Sequence, residues 1–241
     1  VQDIAVTDTM FSNHHHPFFQ ANEVLISLSI FKIIRKQPPV SKLIIRNGSF
    51  FLFTDSAGYS NKYLLASKKD PQGGPKKTDK NISLNSILLE ATHITFKDDV
   101  KGKLYDFNVQ SVELNLEDEN EKLVVDVDAS LTVNTLTFNI DKGSFLKGAD
   151  FSGQFELEYG KKSQVFSFNE IAVKLSGQPF ILSGTFDLGE KNPGFTLKAK
   201  TSQVLYTAVK KLLPPRIDSA LSIAAVNKPL DAEVELYGPL S

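Results

Sequence analysis

Cysteine is absent from the 241 residues, and its absence excludes disulfides, thiolate-bound metal, iron–sulfur clusters and thiol nucleophiles. Tryptophan is missing, methionine occurs once, and 27 basic against 28 acidic residues leave a formal charge of -1. A nucleic-acid partner normally calls for a basic field, so none is expected. No apolar run reaches the roughly 20 residues that cross a bilayer, and no secretory leader is recognisable. The chain begins at Val1 rather than methionine, which fits a mature form or an excised piece, so missing targeting signals say little about compartment.

Motifs for covalent chemistry are equally scarce. Gln72-Gly73-Gly74-Pro75-Lys76-Lys77-Thr78 carries glycine and lysine without the spacing or flanking strand and helix of a phosphate loop. No serine sits in a Gly-x-Ser-x-Gly elbow, and the acids of residues 117–121 read as a hairpin tip. His14, His15 and His16 are adjacent, so on a strand they point to opposite faces; they read as a surface loop rather than a metal centre. His93 lies in a strand pattern with no partner nearby in sequence. The expectation is a protein that is not an enzyme, with no catalytic residue, no metal and no cofactor.

What the chain has in quantity is phenylalanine, 18 copies, arranged in a rhythm of two. Phe151, Gly153, Phe155, Leu157 and Tyr159 alternate with polar residues; so do Phe166 and Phe168, then Ile171, Val173 and Leu175. Phe180, Leu182, Gly184, Phe186 and Leu188 continue the pattern, as do Phe195, Leu197 and Ala199. Period-two alternation predicts strands with one apolar face. Tyr105, Phe107 and Val109 change phase to Val112, Leu114 and Leu116, and residues 123–133 change phase before Leu136. Single phase changes inside long runs predict bulges or bends in strands that curl.

The fold expected is mainly β: long antiparallel strands in a curled, groove-like sheet, with one main helix at residues 201–213 capped by Thr201 or Ser202 and stopped by Pro214 and Pro215. One module spans residues 1–241, divided into an N-terminal part to residue 66, an exposed lysine-rich loop at 67–81 and a main sheet from 82 onward. Residues 29–35 read as a short helical piece. Residues 40–47 and 49–55 read as two strands around Asn47-Gly48, a hairpin or a bulge. Closing strands are expected near residues 219–226 and 231–237. Phe151-Ser-Gly-Gln-Phe-Glu-Leu157 is echoed 31 residues later by Leu182-Ser-Gly-Thr-Phe-Asp-Leu188. Glycine on the apolar row thins the sheet there, or lets a ligand or another strand approach.

Residues 24–36, 40–55 and the turn Gly58-Tyr59-Ser60-Asn61 resemble the opening of the AsmA-like family of bacterial envelope proteins: a strand running into a short amphipathic turn, a strand pair ending in an acid, then Gly-x-x-Asn. Residues 201–213 with their prolines and closing strands look similar to its C-terminal end. The resemblance implies a periplasmic protein held to the inner membrane by an N-terminal anchor that this chain does not contain. It also implies an apolar-lined groove like those of the repeating β-groove proteins that carry lipid. The lysine-rich stretch departs from the family pattern, and the groove is short for a full bridge, so one terminal module is expected.

The function expected is binding or conduction of phospholipid, or another acyl-chain ligand, between inner and outer membrane, with envelope proteins as further partners. Groove-lining residues are expected to be Phe151, Phe155, Leu157, Phe168, Val173, Phe180, Leu182, Phe186, Phe195 and Leu197. A structural or assembly protein with a closed β core, and a β-rich ligand-binding or adhesion module, are the alternatives. Whether Phe155, Phe168, Phe180, Phe186 and Phe195 face an open concavity separates them.

Overall fold

A computed structural model describes residues 1–28, 40–65, 84–137, 144, 146–189, 193–210, 219 and 228–239. Strands account for 72% of it, in one curled, unclosed sheet. The strands are β1 (Gln2–Val6), β2 (Phe19–Leu28), β3 (Val40–Thr54), β4 (Ser86–Asp98), β5 (Lys103–Glu119) and β6 (Lys122–Thr137). They continue with β7 (Ala149–Gly160), β8 (Val165–Leu175), β9 (Gln178–Asp187), β10 (Gly194–Val204) and β11 (Leu230–Pro239). Their spatial order follows the chain from β1 to β11. Every neighbouring pair is antiparallel except β3 and β4, which are parallel and therefore need the long connection that leaves Thr54 and returns at Ser86. One ladder thus joins the N-terminal part to the main sheet.

The phase changes in the sequence are bulges. Between Val109 and Ser111 the β5–β6 register slips by one residue, and a second slip between Asp106 and Phe107 places the extra residue Asn134 in β6. In β8 the slip lies between Phe168 and Ile171, where Glu170 has φ 50°. Each slip returns the apolar side chains to one face, since a strand without it would turn half its hydrophobic set toward water.

Residues 40–54 form one strand rather than two. Asn47 adopts φ 48°, a conformation asparagine tolerates better than most residues, and bends β3 without reversing it. Arg46 pairs with Glu90 and Ser49 with His93, so Asn47 lies opposite the irregular Ala91 of β4. Ala91 in turn lies opposite the bulge of β5, because Glu90 pairs with Ser111 and Thr92 with Val109. A crease therefore crosses three adjacent strands.

The helix expected at 201–213 starts later than expected, because residues 201–204 belong to strand β10. Thr201 and Val204 pair with Ala232 and Leu230 of β11 around a bulge at Gln203, whose N–H donates to Asp231 Oδ1 at 2.9 Å. β-branched Thr201 and Val204 suit that ladder. Among the described residues helix α2, Tyr206–Val209, follows inside the expected range, with Leu205 at its N-cap position and no side-chain cap. Residues 211–213, the 29–35 piece, the 67–81 loop and residues 220–226 lie outside the described residues, and Ser219, the first residue of the closing strand expected at 219–226, is helical. The strand expected at 231–237 is β11.

Beside the sheet, α1 (Phe11–His14) and a 3₁₀ turn (Asn61–Leu65) close one rim. Asn61 is fully buried; its side chain accepts from Phe53 N–H at 2.9 Å and donates to Phe51 C=O at 2.7 Å, standing in for a partner strand along β3. Asp55 shapes the turn before it, its Oδ1 accepting the N–H groups of Ala57 and Tyr59, both at 2.9 Å. The acids of 117–121 do form a hairpin tip, between β5 and β6.

Candidate functional site

Cross-strand pairing fixes which residues share a face. Val127 of β6 sits opposite Leu114 and Phe155, and Leu131 opposite Val109 and Phe151. Phe151 sits opposite Leu175, and Val173 opposite both Gly153 and Phe180. Beyond them Phe186 faces Phe195, and Leu197 faces Gly184 and Leu236. The ten residues expected to line a groove therefore all belong to one face. That face extends further than expected, through Val112 and Leu114 of β5, Leu89 and Ile94 of β4, Ile45 and Phe50 of β3, and Val24 of β2. The same alternation marks these N-terminal positions in sequence, and its signal is split there by the crease.

Contacts on this face are lateral. Val125, Val127 and Ala129 are buried beneath Val112, Leu114, Leu116, Leu123, Phe151, Phe155 and Leu157, all from the same or adjacent strands. Phe151 and Phe180 lean on Ala149 and Leu175. Phe168, Phe186 and Phe195 form a stack across three strands, with ring centres 6.3 and 5.9 Å apart. Among the described residues each strand packs mainly on its sheet neighbours, with the 3₁₀ turn lying on β3, and no second layer covers the apolar face. Accordingly Phe155, Phe168, Phe180, Phe186 and Phe195 are all half-buried and none is buried outright. Many of the buried positions are small residues beneath larger neighbours, such as Val173 at 3% exposure.

The two echoed glycines have a specific use. A Cβ on Gly184 would lie 2.8 Å from Phe168 Cζ and 2.9 Å from the Thr196 carbonyl, and one on Gly153 would lie 3.0 Å from Val173 Cγ1. Each glycine makes room for a side chain of β8, so the close approach comes from the neighbouring strand.

Much of the reverse face is polar and ion-paired, although Ile44, Phe51 and Phe53 of β3 lie on it. Arg46 bridges Glu23 at 2.8 Å and Glu90 at 2.5 Å, while Lys42 meets Glu113 and Lys122 meets Glu158, each at 2.6 Å. Hydrogen bonds to Glu90 and then Glu23 hold the Arg46 guanidinium above its ordinary value. His93 has a partner after all, Asp106 on the adjacent strand at 2.9 Å, and Thr95 and Asn134 also donate to that carboxylate. Burial pushes Asp106 up, but the hydrogen bonds from Asn134, Thr95 and His93 outweigh it and leave the group below the usual carboxylate range.

A cavity of about 940 Å³ lies against this polar side. Most of its lining belongs to the polar rows, Asp128, Ser130, Ser152, Gln154, Lys174 and Lys200 among them, and Ala129, Gly153, Val173 and Phe180 of the intervening apolar row also border it. Of the ten expected residues only Val173 and Phe180 border it. Among the described residues, no second layer closes the apolar face into a chamber.

His14 and His16 pack against β3. His14 Nε2 pairs with the buried Asp8 carboxylate at 3.0 Å and its ring lies 4.6 Å from that of Phe53, while His16 lies 4.5 Å from Phe51. No group of three or more His, Asp or Glu among the described residues is placed to hold a metal ion. Among the same residues no helix is long and apolar enough to cross a membrane. No family model, curated protein or solved structure matches the chain.

Proposed function

We propose that the protein binds acyl chains on its apolar face and places or passes lipid within a bacterial envelope, without covalent chemistry. One observation carries the reading: an apolar surface running from β2 to β11 has no second layer among the described residues. Leaving such a surface in water is costly, and each lipid methylene buried against it contributes about 0.8 kcal/mol. The backbone beneath is already paired in the ladder, so an acyl chain meets no unsatisfied polar group. Many equivalent rungs of Phe, Leu and Val offer no single deep minimum, which favours sliding over tight capture. A periplasmic location, an inner-membrane anchor and a place in outer-membrane assembly belong to the same proposal and rest on the AsmA-like resemblance.

The test is native mass spectrometry of the protein purified from a bacterial envelope, with lipid extraction in parallel. Co-purifying phospholipid is expected. No lipid under several extraction conditions, together with an apolar face that excludes hydrophobic dyes, overturns the reading. The cavity on the polar face favours a second one, a module that binds a polar ligand there; it predicts that changes at Gln154 and Ser130 abolish binding while changes at Phe186 do not.

A further inference from the structure

The apolar face ends at one rim in a group of charges. Phe96 and Tyr105 are the last apolar pair between β4 and β5, their rings stacked 5.3 Å apart. The next pair on the same face is Asp98 and Lys103. Lys62, delivered by the 3₁₀ turn, places its Nζ 4.5 Å from the centre of the Phe96 ring and 3.3 Å from Asp98 Oδ2. In the turn between the strands, the N–H of Lys101 donates to Asp98 Oδ1 at 3.0 Å.

One ammonium group, that of Lys62, therefore pairs with a carboxylate that is 3% exposed, while Lys103 stands opposite Asp98 in the ladder and Lys101 follows in the turn, where its N–H caps the same carboxylate. Burial, and then repulsion from Lys101, hold Lys103 below the ordinary lysine value although Asp98 opposes them. Asp98 itself is pushed up by burial and brought below the usual carboxylate range by the Lys101 N–H and by Lys62. The local field is positive, and it sits where greasy surface gives way to water. That is the arrangement an amphiphile with an anionic head would meet, its head receiving charge-assisted hydrogen bonds and its tail staying on phenylalanine, leucine and valine.

We infer that this rim binds the phosphate of an anionic lipid, with Lys62, Lys101 and Lys103 around the headgroup and the acyl chain lying on the apolar face from Phe96 and Tyr105 inward. The assignment rests on the reading of that face as an acyl-chain surface. It adds a headgroup site on named residues, a preference to be measured for phosphate-bearing over neutral amphiphiles, and an orientation for the bound molecule. From Tyr105 to Leu116 the strand offers about 36 Å of path, ample for one acyl chain.

The test measures affinity of the whole chain for dodecyl phosphate, dodecanol and inorganic phosphate, each below any micelle threshold, by displacement of a fluorescent fatty acid or by calorimetry. Dodecyl phosphate is expected to bind about tenfold more tightly than dodecanol, as two or three partly exposed charge contacts warrant. Lys101→Gln keeps the Lys62–Asp98 pair and is expected to lower that ratio about threefold; Lys62→Gln combined with it brings the ratio toward one. Lys162→Gln, at an exposed lysine paired with Glu121 in the β7–β8 turn, leaves the ratio unchanged. If the double variant does not fold, by circular dichroism, Lys101→Gln alone decides. Equal binding of the two amphiphiles, or a ratio that survives the lysine changes, overturns the headgroup site and leaves the acyl-chain surface standing. Failure of both amphiphiles to bind overturns the surface itself. Inorganic phosphate binding as tightly as dodecyl phosphate makes the site one for free anion and overturns the lipid assignment.

Discussion

Replacing Phe186 by aspartate, with alanine at the same position as reference, separates an uncovered apolar face from a sealed core. Phe186 is half-buried and stacked between Phe168 and Phe195. Removing a fully buried phenylalanine costs about 3–5 kcal/mol; half that burial plus two lost ring contacts gives roughly 2–3 kcal/mol for Phe186→Ala. The aspartate variant loses the same contacts and adds a carboxylate. On an uncovered face the carboxylate keeps most of its water, so the two variants differ by about 1 kcal/mol or less. In a sealed core it is stranded without a partner and costs several kcal/mol more, a large part of the ~5–15 kcal/mol of a typical domain. Denaturant melts followed by far-ultraviolet circular dichroism give both values, and lipid retention by native mass spectrometry gives the functional arm. The expected result is two folded variants of similar stability, with aspartate alone stripping bound lipid. An aspartate variant more than about 3 kcal/mol below alanine, or unfolded while alanine folds, refutes the uncovered face. Phe155→Asp is the harsher version, because Phe155 packs over buried Val125, Val127 and Ala129.

Three further outcomes follow from the geometry. Gly184→Ala drives a methyl into Phe168 and the Thr196 carbonyl and is expected to destabilise by about 1–3 kcal/mol, whereas Gly238→Ala, whose Cβ meets only Phe195 Cε1 at 3.6 Å, is neutral or slightly stabilising; thermal melts of both check the pair. Asn61→Ala strands the Phe51 carbonyl and the Phe53 N–H and should cost about 2–4 kcal/mol, measured in urea; a loss under 1 kcal/mol contradicts the structural role given to that amide. At Asp8, burial raises the carboxyl, but hydrogen bonds from His14 and the Met10 N–H outweigh it and leave it below the usual carboxylate range. A lowered folded pKa contributes stability above the unfolded pKa that is lost as pH falls through the folded one. Asp8→Asn should therefore flatten the stability decline below about pH 4, and an unchanged acid limb in a pH series of melts contradicts it.

Much of this architecture was written in local pattern. Alternation at 151–159, 180–188 and 195–199 sets strand and face together, because successive side chains on a strand point to opposite sides whatever surrounds them. The phase changes at Val109–Val112 and Val133–Leu136 announced bulges, since any other resolution would turn apolar residues into water. Asn47-Gly48 was ambiguous because the same φ > 0 propensity serves a hairpin or a bend, and only pairing along the whole of β3 decided for the bend. At 201–204, helical spacing competed with β-branched residues, and the ladder to β11 decided for strand. His93 and Asp106 are thirteen residues apart, and nothing local marks two residues that meet only across a ladder.

The residues themselves settle that this chain makes sheet, which side chains share a face and how greasy that face is, because those properties depend on the chain's own period and composition. Tertiary structure alone decides that β3 and β4 run parallel, that the two echoed glycines are filled by β8, that Lys62 is carried to Asp98 at the rim, and that no second layer lies on the apolar face among the described residues. These are relations between segments distant in sequence. Their energies come from pairing and burial that exist only once the strands have met.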